Sequence, residues 1–290
     1  MEKRIAIIDG LRSPFCPSNN ALKKWKSCDL GAFVARELVM RSQYATKDVD
    51  AFIVGDISIP PVPACHTAER MVKKAFPNDE ITHFTIGSGE GSGVHAVTTA
   101  MHSLLSHSNS LVVAGATASS HSFHPFFTPS PEPTFLLKHI ISSYLSKIRA
   151  FLVENGNGNH NIPALTRYKH VLSSHRHAEH HAHNFKISRE EQDKYTFLSL
   201  ARFQEALRKY DFEKEIVAVP SSKRYSYFQT IDKAVAHHTS LKDFAEESPL
   251  FSSLYGMTTM SNTISDADGA AMLLLSTEEH AKEKGVNPLG

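Results

Sequence analysis

The sequence predicts a layered α/β fold, and three observations carry that prediction. Short apolar runs alternate with helical patterns through the first 118 residues, as in a sheet covered by helices. Between one such run and the next helix lies a glycine-rich turn, Thr85 to Val97, reading TIGSGEGSGVHAV. After a long irregular stretch, an apolar strand pattern from Ala270 to Ser276, AAMLLLS, restores the order.

Taken in order, Ile5 to Asp9 reads as the first strand. Leu30 to Arg41 has apolar residues at helical spacing behind Asp29, a residue type that caps helix N-termini. Ala51 to Gly55 is the second strand, Thr67 to Ala75 a helix and Thr82 to Ile86 the third strand. Gly93 to Ser106 is helical, and Ser110 to Gly115, a run of small and branched apolar residues, is a buried strand. The pattern then breaks. From about Thr117 to Ser248 the chain is richer in proline, serine, histidine and aromatics, and it holds separate helices. A last strand, Ala270 to Ser276, and a helix near Thr277 to Lys284 resume it. The expected organisation is a core over 1–118, an inserted loop domain over 119–250, and a return to the core over 251–290. Insertions of that length in a sheet domain are usually functional, as lids or binding flaps.

Composition narrows the function classes. At 290 residues the chain can bury a sizeable core. A net charge of +1 without a long basic run gives no reason to expect nucleic acid as a partner. Cys16, Cys28 and Cys65 are odd in number and lack metal-ligand spacing, which implies a reducing, cytoplasmic setting. Met1 to Arg4 leads straight into the first strand with no secretory signal, and no apolar stretch reaches bilayer-spanning length.

The glycine turn is the leading candidate for a site. Gly87, Gly89, Gly91 and Gly93 occupy every second position, where tight backbone geometry needs them. The helix start beyond them offers unpaired N–H groups to an anion. Glu90 sits at the apex, where a catalytic turn of this shape holds a nucleophile. Two readings follow: an acidic group that caps the helix, or a catalytic carboxylate.

Read together, these segments resemble the N-terminal half of a thiolase, a coenzyme A-dependent acyltransferase. Residues 8–15, IDGLRSPF, resemble the family's opening D-G-x-R-T-P-F. Asp29 to Ala32 matches the next helix start, and Asp48 to Asp50 with Val54-Gly55 the next strand. Glu90 falls on the cysteine of the family's nucleophile elbow, C-G-S-G or C-A-S-G, and Val112 to Gly115 follows at the family distance. Ile187 to Asp193 repeats I-S-R-E-E-Q-D, and Glu215 to Val217 is close to E-I-V-P. Asp268 to Ala271 follows Asn262 as D-G-A-A follows G-N-A-S.

The resemblance implies an αβα layered half with a mixed five-stranded sheet and an inserted loop domain, part of a larger αβαβα arrangement. It implies coenzyme A or an acyl-CoA as ligand, with no tightly bound cofactor. By alignment, Gly91, Ser92, Gly93, Ser174, Lys233 and Asn262 fall at coenzyme-binding positions. The family's second half carries a histidine in G-H-P and a cysteine in C-x-G-x-G, and neither motif occurs in these residues. The chain is then a fragment, or works with a separate partner, or has lost that half.

Thiolase chemistry needs a thiolate to attack an acyl thioester, a base to activate it, and N–H donors for the oxyanion. A carboxylate at the elbow is a poor nucleophile towards thioesters. Other positions have drifted as well: the family's acyl-pocket His-Met pair falls at Ser173-Ser174, and the asparagine of T-A-E-N at His180. The leading expectation is a thiolase-like protein, closest in character to acetyl-CoA acyltransferases of fatty-acid oxidation. It would lack thiolase activity in this chain, a pseudoenzyme acting as a non-catalytic subunit or acyl-CoA-binding scaffold. One alternative is an active acyltransferase completed by a C-terminal half. Another keeps catalysis but uses Glu90 as a base or electrostatic element for decarboxylation or hydrolysis.

Two further segments stand outside that chemistry. His175, His177, Glu179, His180, His181 and His183 crowd together. On a helix, His177 with His181 and Glu179 with His183 are i,i+4 pairs that can chelate a divalent transition metal, giving a metal-binding or sensor module. The plain alternative is a solvated, histidine-rich helix face. Thr134 to Val153 is amphipathic at helical period, with Phe135, Leu136, Ile140, Ile141, Tyr144 and Leu145 among its apolar positions. It is similar to the extra helical segment of thiolase subunits from fatty-acid-oxidation complexes, which implies docking on a partner subunit or peripheral membrane contact. The alternative is packing on its own domain. A half-thiolase also exposes an apolar helix face. The expected state is therefore a homo-oligomer, or a hetero-complex with a C-terminal thiolase half or a fatty-acid-oxidation subunit.

Overall fold

The computed structural model describes residues 4–17, 21–56, 66–119, 175–221, 227–233, 240–251, 256–263 and 267–290. Ser174, Cys65 and the amphipathic stretch 134–153 lie outside them. The strands are β1 (Ile5–Arg12), β2 (Cys16–Pro17), β3 (Ala51–Asp56), β4 (Thr82–Ile86), β5 (Leu111–Ala118), β6 (Val219–Pro220), β7 (Phe228–Gln229) and β8 (Ala267–Thr277). Interleaved with them are α1 (Ser27–Arg41), α2 (Thr67–Ala75), α3 (Ser92–Leu105), α4 (175–185), α5 (Arg189–Arg208), α6 (Leu241–Glu246) and α7 (Glu278–Glu283).

The main sheet runs β1-β8-β5-β3-β4, with β2 pairing additionally to β8. β3 is parallel to β4 and β5, whereas β8 is antiparallel to β5 and β1. The expected mixed arrangement is present, with β2 as a sixth strand beyond the expected five. β8 arrives last in sequence yet fills the gap between β1 and β5, so both its edges are paired. That position explains its apolar run.

Successive strand residues point to opposite faces. Phe52, Val54, Leu111, Val113, Met272 and Leu274 belong to one core with Leu30, Val34 and Leu38 of α1 and Met71 and Val72 of α2. Ala51, Ile53, Val112, Ala114 and Leu275 form a second core with Ala96, Ala100 and Leu104 of α3. The layers are thus α1 and α2, the sheet, and α3. The parallel strands β3, β4 and β5 all end at one sheet edge, where ligands bind in open α/β sheets.

One local expectation is corrected. Lys26, not Asp29, holds the N-cap position of α1 without a side-chain bond, and Asp29 lies inside the first turn. There its carboxylate pairs with the Lys74 ammonium of α2 and still complements the positive helix end.

By its internal contacts the chain divides into a unit of 1–123 with 178–290 and a unit of 124–177, of which only 175–177 is described. Within the larger unit α5 starts on a reciprocal cap: Ser188 accepts from the Glu191 amide, and the Glu191 carboxylate accepts from the Ser188 amide at 2.7 Å. The ISREEQD motif is therefore a helix-start signal in its own right. Among the described residues no helix is long and apolar enough to cross a membrane.

Candidate functional site

The glycine turn forms the junction between β4 and α3. Gly89 to Gly91 make one 3-10 turn, and α3 begins at Ser92. Gly89 has φ of +58°, a left-handed conformation that glycine adopts without strain. The Ser92 hydroxyl closes the turn: it accepts from the Ser88 amide at 2.9 Å and donates to the Gly89 carbonyl at 2.7 Å. A third bond runs from the Gly91 amide to the Ser88 carbonyl at 3.3 Å.

The turn is seated on the sheet through Gly55, near the end of β3. A Cβ built there would lie 2.5 Å from the Ser92 carbonyl carbon, so glycine alone allows α3 to start this close to the strand. Glu90 is exposed at the outside of the turn. Its reading as the helix cap is corrected, because Gly91 occupies the N-cap of α3 and no side chain bonds there. Ser92 is 2% exposed, with its hydroxyl engaged inside the turn, while Gly91 and Gly93 are half-buried.

Asp56, the residue after Gly55, faces the other layer. Its carboxylate accepts from the Ser27 hydroxyl at 3.1 Å and the Thr67 hydroxyl at 2.8 Å, at the first residues of α1 and α2. One buried carboxyl group thus ties together the starts of two helices. Nothing in the sequence pattern marks Asp56 for this role except its place directly after a buried strand.

The remaining candidates occupy other settings. Glu179 and Asn262 meet around Met257. The Glu179 carboxylate accepts from the Met257 amide at 2.9 Å and from the Thr258 amide and hydroxyl at 2.9 and 2.6 Å. Burial works to raise its pKa, but these hydrogen bonds outweigh it and hold the carboxyl below its ordinary value. Asn262 donates to the Met257 carbonyl at 2.9 Å and to Asp193 at 3.1 Å, and accepts from the Thr259 amide at 2.8 Å. Asp193 in turn binds Arg189 at 2.7 Å, an ion pair on consecutive turns of α5. Both candidates are committed to holding α4, α5 and 256–263 together.

Lys233 follows a different anchor. Asp232 takes both terminal nitrogens of Arg12, at 2.8 and 2.9 Å, and the Lys233 amide donates to the Phe15 carbonyl at 2.8 Å. The ammonium lies 5.9 Å from the centre of the Tyr227 ring.

The histidines lie on α4. His177, His181 and His183 are exposed, the His181 ring stacks on Phe185 at 6.2 Å, and His183 lies 3.8 Å from Glu179. Among the described residues no group of three or more histidine, cysteine, aspartate or glutamate side chains is arranged to hold a metal ion.

Neither described cysteine approaches the elbow's layer. Cys16 and Cys28 both belong to the core on the α1 and α2 face. Burial pushes the Cys16 thiol up to about 11, against an opposing pull from Lys233, so it stays protonated.

The comparison with protein families decides what this architecture is. The thiolase N-terminal domain model matches residues 5–279. The chain belongs to the thiolase family. The 3-ketoacyl-CoA thiolase of Escherichia coli O157:H7 (strain EC4115 / EHEC) is 27% identical over 292 residues, covering 99% of this chain and 66% of the relative. Its counterpart in Shewanella halifaxensis (strain HAW-EB4) is 26% identical over 298 residues, with the same coverage. Solved thiolase structures share the fold. Human mitochondrial 3-ketoacyl-CoA thiolase in complex with CoA superposes with a TM-score of 0.76 at 20% identity, covering 99% of this chain and 68% of that one. The Bacillus anthracis acetyl-CoA acetyltransferase gives 0.77 at 23% identity, covering 99% and 69%. This thiolase-family chain therefore spans about two thirds of the length of the curated relatives it matches.

Proposed function

We propose that this chain is the acyl-CoA-binding N-terminal part of a thiolase-like assembly and does not itself perform thiolysis or condensation. One observation carries the reading. Glu90 is exposed in the turn that opens α3, and by its motif resemblance it falls where the family has its nucleophilic cysteine. A carboxylate there cannot form the acyl thioester on which the family's chemistry depends. Coenzyme A as ligand is supported by the fold shared with a thiolase described in complex with CoA.

The assembly part of the proposal rests on a second surface. Val94, Met101 and Leu105 lie along the outward side of α3 at 68, 37 and 41% exposure, and Phe84 of β4 at 53%. Apolar side chains at that spacing mark an association face. Its occupant is a second copy of the chain or a C-terminal thiolase half, in a cytoplasmic setting of fatty-acid metabolism. Light scattering on the eluted protein is expected to give a dimer or larger species, and a stable monomer at micromolar concentration would contradict this part.

Calorimetric titration with coenzyme A and with acetyl-CoA tests the ligand. Saturable binding of either supports the reading, and heat of dilution alone for both overturns it. The rival is an active acyltransferase completed by a missing or separate C-terminal half, and similarity to proteins named 3-ketoacyl-CoA thiolase supports it. It requires the wild-type chain to gain turnover when that half is added.

A further inference from the structure

We infer that Ser92 is the positioning residue of the elbow: its buried hydroxyl fixes the turn that presents residue 90 at the mouth of α3. The inference rests on the reading of this turn as the acyl-CoA-facing elbow, and names what holds it in shape.

The bonding pattern carries it. One hydroxyl reaches back from the first residue of α3 to both residues that precede Glu90, accepting from the Ser88 amide and donating to the Gly89 carbonyl. Together with the Gly91 to Ser88 bond, these contacts close the backbone around residue 90 without using its side chain. The accepted Ser88 amide sets Ser92 apart from other hydroxyls of α3, since its donation three residues back is a bond that Ser103 also makes. Thr99 and Ser103 donate to carbonyls of their own helix, at His95 and Ala100, the ordinary local bond of such residues.

Ser92 is also where the turn meets the sheet. Its backbone packs against Gly55 of β3, so the hydroxyl links a fixed strand to a turn that has glycine at alternate positions. A Cβ added at Gly87, Gly89 or Gly91 would meet nothing within 4 Å among the described residues. Among the described residues, packing does not hold the outer side of the turn, and the Ser92 bonds do. This differs from the alignment-based role of Ser92 as a ligand contact. Its proton and one lone pair are already engaged, so it acts through residue 90. The shape of the turn is then independent of which side chain residue 90 carries.

The test places a reporter at that position. Glu90→Cys is compared with Glu90→Cys/Ser92→Ala by iodoacetamide alkylation across the pH range of thiol ionisation. Modification is quantified by mass spectrometry at residue 90, so other cysteines do not contribute. A thiol held at a helix N-terminus ionises below the ordinary range. Loss of the Ser92 hydroxyl is expected to move the profile back up and slow alkylation at neutral pH by roughly tenfold, the equivalent of one pKa unit. Ser103→Ala in the same background removes an ordinary helix hydroxyl and should leave the profile in place.

Amide exchange on the Ser92→Ala chain, with Glu90 intact, gives an independent readout. The Ser88 amide should lose protection by roughly tenfold while Ala96 to Leu104 keep theirs. Profiles that coincide with and without the hydroxyl, or that move equally with Ser103→Ala, overturn the inference. So does protection lost evenly along α3. None of these readouts involves coenzyme A, so this inference and the ligand reading can fail separately.

Discussion

The elbow before α3 and the region around Glu179 both gather residues that the sequence nominates for function, yet they use them in opposite ways. At the elbow the nominated side chain, Glu90, stays outside the bonds that shape the turn, which run through Ser88, Gly89, Gly91 and Ser92. Around Met257 the nominated side chains are themselves the structure: Glu179 and Asn262 satisfy backbone groups from 257 to 259. A residue type suited to chemistry marks a site only where folding leaves its functional atoms free. Among the described residues Glu90 meets that condition, whereas Ser92 in the same turn and the Glu179 cluster do not.

Removing the carboxylate that folding uses should have the largest effect. Glu179→Ala strands two amides and a hydroxyl, Met257 and Thr258, in a largely buried setting. A loss of about 3 kcal/mol in urea unfolding is expected. Acid should act on the same bonds. Because the folded-state pKa of Glu179 is lowered, its contribution is complete above the unfolded carboxylate value. It is lost as pH falls through the folded one. Glu179→Gln should flatten that part of the acid limb in a stability-against-pH series.

A smaller effect is expected where the elbow meets the sheet. Gly55→Ala drives a methyl against the Ser92 backbone and should cost about 2 kcal/mol, with a larger fractional loss in acetyl-CoA affinity by calorimetry than Glu179→Ala gives. Least of all should follow from Glu90→Gln, within about 0.5 kcal/mol in the same unfolding assay, since the side chain is exposed. A large loss there would make Glu90 structural and erase the contrast.

Much of the fold was legible because apolar periodicity is local. The expected bounds Thr67–Ala75 and Thr82–Ile86 match α2 and β4 to the residue, and β3 extends one residue past the expected Gly55. The helix after the elbow starts at Ser92 rather than Gly93, because the Ser92 hydroxyl closes the preceding turn. What the sequence could not show depends on partners far along the chain. Thr258 lies 79 residues from Glu179, and Asp232 lies 220 from Arg12. Spacing alone cannot reveal that such groups meet. The histidine pairs do lie on a helix, α4, but among the described residues no third ligand converges on them.

The most direct test is cleavage of acetoacetyl-CoA by coenzyme A, followed by thioester absorbance. The wild-type chain and Glu90→Cys are compared, each mixed with the C-terminal half of a 3-ketoacyl-CoA thiolase. No cleavage above the protein-free control by the wild-type chain, with turnover appearing in Glu90→Cys, is the predicted result. Turnover by the wild-type chain would overturn the proposal that residue 90 has lost the nucleophile.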